Sequence, residues 1–308
     1  MRKKITVVGA GNVGTTTAQL IAERDMADVV LIDIIEGIPQ GKALDIQEAC
    51  PIWRSSSRVT GTNSYDDTAG SDIVVITAGL ARKPGMSRDD LLKANAEIVG
   101  KVAEKIAGTS PEAIVIVVTN PMDIMAQLTQ KVTGFPFHRV IGMGGCLDST
   151  RMRTFISLET GVSPEDIKAM VLGGHGDQMV PIPSLTTIKG EKITGLMPEH
   201  KVKAIIERTK NGGAEIVGLL KTGSAYYAPA ASVVEMIEAM FEAKDEPLPC
   251  SVYLDGEYGI QGIYLGVPVM FTTKGSEKIL ELKLTEEEKK ELARSAEAGR
   301  ELVTKLGI

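Results

Sequence analysis

Short apolar runs, mostly of β-branched residues, recur along the first half of the chain, at 5–8, 29–32, 73–77, 114–119 and 140–141. Their apolar positions do not alternate with polar ones. A strand buried on both faces has that pattern, whereas a half-exposed one alternates. Between the runs lie longer stretches of helical periodicity, at 13–24, 40–48, 89–107 and 122–133. Strand and helix alternating at this spacing predict a doubly wound parallel sheet with right-handed crossovers. After the glycines at 142–145 the pattern changes. A helix is expected at 147–159, a strand at 168–172, and helical sequence from about 199 to 243. Strand-like sequence follows over 248–282, with turn signals at Asp255-Gly256 and Lys274-Gly275. The tail, 286–306, reads as a charged amphipathic helix. The second half is therefore expected to be an α+β domain. No repeat or low-complexity linker separates the halves, so two closely packed domains are expected, 1–145 and 146–308.

Composition changes this picture only at a few points. A chain of 308 residues suits two domains, and 43% hydrophobic with 24% charged residues is an ordinary folded balance. The net charge of −6 argues against a general nucleic-acid binder, which wants a basic surface. The three cysteines, Cys50, Cys146 and Cys250, are far apart and form no CxxC pair. Neither a zinc site nor a disulfide framework is expected, no metal is expected, and a reducing compartment fits best. The apolar run near the N-terminus is short and ends in glycine, so it reads as a strand rather than a signal peptide. No uncharged apolar stretch approaches the roughly 20 residues of a membrane span. A cytoplasmic protein is expected. Glycine is the outlier: 32 of 308 residues, clustered at 9–14, 79–85, 142–145, 173–176 and 212–213.

The first cluster, Gly9-Ala10-Gly11-Asn12-Val13-Gly14, fits GxGxxG between a predicted strand and a predicted helix. Its glycines permit a tight turn, close approach to a pyrophosphate and close helix–strand packing. The helix N-terminus offers that pyrophosphate free N–H groups. Asp33 ends the second strand, 19 residues after Gly14. A carboxylate there can accept from both ribose hydroxyls and repels a 2′-phosphate, which favours NAD over NADP. The bland alternative is a structural turn and an ordinary strand-end Asp.

Four further motifs sit at strand ends or at the domain change. The segment from Gly79 to Arg88 carries Arg82, Lys83 and Arg88 among glycines and a proline. That composition suits a moving lid over the crevice, or simply a solvated basic loop. Asn120, in Thr119-Asn120-Pro121, offers both donor and acceptor, although Asn-Pro is also a turn signal. Asp148 and Arg151 stand three residues apart, on one face of the helix after the domain change. His175 alone of the three histidines sits between glycines at a strand end, in Gly173-Gly174-His175-Gly176-Asp177. Imidazole is the usual acid/base near neutral pH, and a structural histidine is the alternative.

Taken in order, VVGAGNVG, VVLIDI, ARKPGMSR, VTNP, LDSTR, GGHGD and KTGSAYYAP resemble the lactate/malate dehydrogenase family over essentially the whole chain. The likeness is closest to its malate dehydrogenases of lactate-dehydrogenase-like architecture. The resemblance implies an N-terminal Rossmann domain, an α+β substrate domain, NAD as cofactor and a homodimer or homotetramer. It implies hydride exchange between NAD and a small dicarboxylate, (S)-malate going to oxaloacetate and back. By that likeness His175 is proton acceptor and donor, and Asp148 fixes its tautomer and stabilises the imidazolium. Arg151 grips the substrate C1 carboxylate with its fork. Arg88 polarises the carbonyl oxygen. Asn120 meets substrate and cofactor, Asn95 and Val118 the cofactor, and Ser224 the substrate pocket. Arg82 takes the position that reads the substrate's far end. A second carboxylate buried unpaired would be costly, and an arginine offsets it; facing pyruvate, the same arginine would be left unpaired. The alternative within the family is a lactate or other 2-hydroxyacid dehydrogenase. Outside it, the Tyr-x-x-x-Lys of short-chain dehydrogenases is absent. A glycosidase of related fold would need a metal, for which this chain has no Cys–His pair at a plausible site, and a plain NAD-binding module would not need His175, Asp148 and three arginines.

Overall fold

The computed structural model describes residues 2–80 and 87–308, the Arg88 side chain excepted. The first half runs β1 (Lys4–Val8), α1 (Asn12–Glu23), β2 (Asp28–Ile32), α2 (Ile38–Trp53), β3 (Val59–Thr62), β4 (Ile73–Ile76), α3 (Arg88–Thr109), β5 (Ile114–Val117), α4 (Met122–Thr133) and β6 (Val140–Gly142). Then come α5 (Gly145–Thr160), β7 (Ile167–Lys168), β8 (Val171–Gly173), β9 (Met179–Pro181), β10 (Thr187–Ile188), β11 (Glu191–Lys192) and α6 (Ile193–Leu196). The chain continues with α7 (Glu199–Leu220), α8 (Tyr227–Glu242), β12 (Leu248–Asp255), β13 (Gln261–Thr272), β14 (Gly275–Ile279) and α9 (Glu286–Leu306).

The unalternating apolar runs became central parallel strands. Every residue of β4 and β5 is buried, and their branched side chains suit the pleat better than a helix. Val8 of β1 lies opposite Ile32 of β2 on one side and Ile76 of β4 on the other. The strand order β3-β2-β1-β4-β5-β6 therefore reverses direction between β1 and β4. In such sheets ligands bind beyond the carboxyl ends of the strands at that reversal. The glycine loop leaves β1 there, and residues 77–80 leave β4 there. The Thr77 hydroxyl joins them, reaching Val8 O and Gly9 O at 3.1 Å each.

The sheet does not stop at the expected junction near residue 145. β6 pairs antiparallel with β12 through Gly142 and Ser251, and β13, β8 and β9 follow, with β14 on the side of β13. Eleven strands thus share one sheet among the described residues, and a small sheet β11-β10-β7 stands apart. One hydrophobic cluster holds Ile5 and Leu31 from the first half together with Cys250, Val252 and Val267 from the second.

Three local expectations differ from the structure. The strand expected at 168–172 is two strands in different sheets, β7 and β8. The chain crosses from one sheet to the other between them, where Met170 O accepts from Ile182 N. β3 was not expected, because Val-Thr-Gly-Thr is short and half polar. Its Gly61 is needed because a Cβ there would lie 2.1 Å from Pro39 O at the start of α2. α2 is longer than 40–48 and carries Pro51 inside its last turns. Among the described residues no helix is long and apolar enough to cross a membrane.

The tail helix α9 positions the site from behind. Thr285 caps it by accepting the Glu288 N–H, and the Glu288 carboxylate accepts the Thr285 N–H and the Ser184 hydroxyl. This anchors α9 against β8, β9 and α4.

Candidate active site

Three element ends converge on His175. β8 ends at Gly173, α4 begins at Met122, and α5 begins at Gly145. The turn after β8 begins at a glycine with no room for a side chain. Gly173 has φ +80°, and a Cβ on it would lie 2.8 Å from Ser295 Oγ and 2.9 Å from Gln178 O. A Cβ on Gly144 would sit 2.4 Å from the Met122 methyl. Glycine here serves both an unusual φ and a crowded gap.

Asp148 lies in the first turn of α5, buried, and its Oδ2 is 2.8 Å from His175 Nδ1. A carboxylate can only accept, so Nδ1 carries the proton and Nε2 is left to exchange one. Burial by itself lowers the His175 pKa. The charge and hydrogen bond of Asp148, helped by the charge of Asp123, outweigh that and leave the imidazole above its ordinary 6.5. The ring is thus mostly buried, oriented and poised to hold a proton.

Arg151 follows one turn later, its Nη1 3.4 Å from Asp148 Oδ1. Its Nε is buried with no hydrogen-bond partner. α7 makes room for it: a Cβ on Gly212 would lie 3.3 Å from Arg151 Cδ, and one on Gly213 would lie 3.6 Å from Nη2. A buried guanidinium with an unfilled donor is suited to a bidentate anion such as a carboxylate. The sequence showed the glycine pair at 212–213 without a reason; the packed arginine accounts for Gly212, while a Cβ on Gly213 would make only ordinary contact with it.

The glycine loop has the opposite character at one position. Gly9 has φ +106°, and a Cβ on it would lie 2.8 Å from Ala78 N; one on Gly14 would lie 1.8 Å from Gly9 O. Gly11 has φ −71°, and a Cβ there would meet nothing within 4 Å. Gly11 also caps α1 with no side chain to fill its first amides, so Asn12, Val13 and the following residues begin the helix with donors to offer. The fit to a dinucleotide pyrophosphate is good. Asp33 follows β2 and accepts from Ala10 N at 2.7 Å and from Ile35 N at 3.1 Å. It therefore braces the glycine loop itself, with lone pairs remaining for ribose hydroxyls. Lys42 of α2 adds a second brace by donating to Ala10 O at 2.7 Å.

Asn120 is exposed at the end of the segment after β5, and Val118 is half-buried two residues earlier. Asn95, expected to face the nicotinamide nucleotide, is fully buried. Its amide donates to Leu80 O and Asn120 O, and its oxygen accepts from Leu80 N. Its observed work is to tie the two strand-end loops together beneath Asn120. Ser224 is exposed in the segment between α7 and α8. Arg82 and the Arg88 side chain lie outside the described residues.

Two residues the sequence reading passed over touch the histidine turn. Asp123 Oδ2 accepts the His175 main-chain N–H, and Ser295 Oγ accepts the Gly174 N–H, each at 2.8 Å. The signal for Asp123 was an acid inside the apolar run Met122-Asp123-Ile124-Met125.

Comparison with known proteins agrees with this arrangement. Residues 3–142 match the lactate/malate dehydrogenase NAD binding domain, and residues 146–305 match the lactate/malate dehydrogenase alpha/beta C-terminal domain. A malate dehydrogenase from Heliobacterium modesticaldum is 53% identical over 307 residues, covering 100% of this chain and 99% of that protein. The structure of Cryptosporidium parvum malate dehydrogenase superposes with a TM-score of 0.97 at 44% identity, covering 100% of this chain and 99% of the other. The lactate dehydrogenase of the same organism, solved with lactic acid and nicotinamide adenine dinucleotide, superposes at 0.95 with 44% identity, covering 99% and 98%. Matched through both halves in order, the chain belongs to the lactate/malate dehydrogenase family of NAD-dependent oxidoreductases.

Proposed function

We propose that the chain is a malate dehydrogenase, interconverting (S)-malate and oxaloacetate with His175 as base and acid. The observation that carries this reading is the Asp148–His175 hydrogen bond with the Arg151 guanidinium, whose Nε has no partner, beside it. The fold does not choose the substrate, because the malate and lactate dehydrogenases of C. parvum resemble this chain at the same 44% identity. The curated relative at 53% identity favours malate, and so does Arg82, whose charge would meet the second carboxylate.

NAD, when bound at the glycine loop, supplies the acceptor and donor of hydride. The chain supplies the rest. Neutral His175 takes the C2 hydroxyl proton at Nε2, and Asp148 steadies the imidazolium that forms. Arg151 holds the C1 carboxylate, and Arg88 polarises the C2 oxygen. Gly9, Ala10, Gly11, Asn12, Val13, Gly14 and Asp33 seat the dinucleotide, and Val118 and Asn120 meet it from the next strand end. Asn95 acts through Asn120, which it fixes. Ser224 contributes to the substrate pocket. Malate oxidation needs the neutral ring and oxaloacetate reduction the charged one. Oxidation therefore rises, and reduction falls, as pH passes the raised pKa of His175.

Residues 1–145 are assigned to NAD and 146–308 to the substrate. A homodimer or homotetramer is supported by apolar side chains left on the surface, such as Ile52, 82% exposed on α2, and Leu219, 76% exposed on α7. A cytoplasmic setting is supported by three buried, free cysteines. The test is NADH consumption with oxaloacetate against pyruvate. Oxaloacetate is expected to be strongly preferred, and Arg82→Gln to lower its kcat/KM by about a hundredfold or more. Equal turnover of pyruvate by the wild type would favour the lactate reading.

A further inference from the structure

Asp148 explains how the ring of His175 is held, and leaves open what holds its backbone. The His175 N–H donates to Asp123 Oδ2 at 2.8 Å. The preceding N–H, of Gly174, donates to Ser295 Oγ at 2.8 Å, and that hydroxyl donates on to Gln178 O at 2.7 Å. Asp123 and Ser295 are 8% and 3% exposed. The histidine is therefore gripped at two ends, its ring by α5 and its main chain by α4 and α9.

Ser295 shows that a neutral oxygen is enough to anchor an amide in this turn. Asp123 does the same job with an ionisable group in a costly place. No Lys or Arg pairs with it among the described residues, and its Oδ1 is buried without a hydrogen-bond partner. The Ser251 hydroxyl lies beside the carboxyl without the geometry of a full hydrogen bond. A buried carboxyl with an orphan oxygen is destabilising if all it does is accept one N–H. A changing positive charge nearby gives its own charge a purpose, and the imidazolium is that charge.

We propose that Asp123 is a positioning residue for His175, fixing its main chain and placing a second negative charge near the imidazolium, beside that of Asp148. The proposal rests on the reading of His175 as the acid/base. Burial raises the Asp123 pKa, the His175 and Ser251 contacts oppose that, and the Asp148 charge adds to it. The proton holdings of the two carboxyls and the imidazole are thereby linked. Among the described residues, the other charged groups around His175 are Arg151 on α5, and Asp89, Asp177, Glu301 and Lys305, which line the recess that His175 and Asp123 share. Lys305 pairs with Asp89 at 3.0 Å.

The test is Asp123→Asn in the full-length enzyme. It keeps the shape and an oxygen for the His175 N–H, removes the charge, and puts an NH2 where the unpartnered Oδ1 stands, near the Ser251 hydroxyl. NADH affinity and melting temperature are expected to stay near wild type, with kcat lower by about tenfold. Loss of a nearby negative charge favours the neutral ring, so the pH profiles of malate oxidation and oxaloacetate reduction should both move about half a unit or more to lower pH. A purely structural role predicts neither change. Unaltered kcat and pH profile overturn the proposal. If Asp123→Asn does not fold, Asp123→Ser, which leaves an oxygen near the amide, takes its place with the same readings. His175→Asn is measured alongside. If it retains turnover, the acid/base reading fails and this proposal with it. If it is inactive while Asp123→Asn keeps the wild-type profile, the positioning proposal alone fails.

Discussion

Two glycine-rich turns serve this molecule, and they differ at one position, Gly11. Around Gly173 the protein itself occupies the space where side chains would go. Ser295, Gln178 and Val180 press on the turn that presents His175. In the loop after β1, Gly9 and Gly14 are crowded in the same way, by Thr77, Ala78 and each other. Gly11 between them has ordinary backbone angles and nothing within 4 Å of where a Cβ would be. At a helix N-terminus after a strand, a glycine that the fold does not require leaves room for a group approaching the free amides. The same residue type thus marks internal packing in one turn and a place kept clear for the dinucleotide in the other.

The comparison can be broken in three ways, in falling order of effect on the fold. Gly14→Ala sets a Cβ 1.8 Å from Gly9 O, against backbone that cannot step aside cheaply. It is expected to destabilise by about 3 kcal/mol and to abolish NADH binding, read by thermal melting and by NADH fluorescence. A fully stable variant would mean that α1 can slide away from β1. Gly173→Ala combines φ +80° with a 2.8 Å contact to Ser295 Oγ, the end of a small side chain. A cost of about 1–3 kcal/mol is expected, with a larger fractional loss in kcat than in NADH affinity, because the displaced group is the histidine turn. Equal losses in both would deny the turn its local role. Gly11→Ala is expected to leave the melting temperature where it is and weaken NADH binding by at least about tenfold, ~1.4 kcal/mol. Normal NADH affinity would falsify the assignment of that space to the pyrophosphate.

Much of the architecture was legible because it rests on local pattern. Unbroken branched runs gave β1, β2, β4 and β5, and the charged periodic tail gave α9 at its observed bounds. β3 was hidden because its identity depends on a neighbour, β2, rather than on its own polar sequence. The same division holds in the site. His175, Asp148 and Arg151 announced themselves by type and spacing, and the fold brings them together. Their supports did not. Ser295 is 121 residues from the amide it anchors and Asp123 is 52 from its own. Asn95 stood out as a ligand contact, and its second task, tying Leu80 to Asn120, could not be read from sequence, because an amide can do either and only its neighbours show which.

The pairing of β6 with β12 has a consequence for how this enzyme can be taken apart. A piece cut after residue 145 would present β6 as a bare edge, with backbone donors and acceptors that β12 now occupies. Such an edge recruits other chains, so the dinucleotide half is not a module that can be borrowed alone. Melting should accordingly be one event rather than two, and a mutation in either half would register in the stability of both.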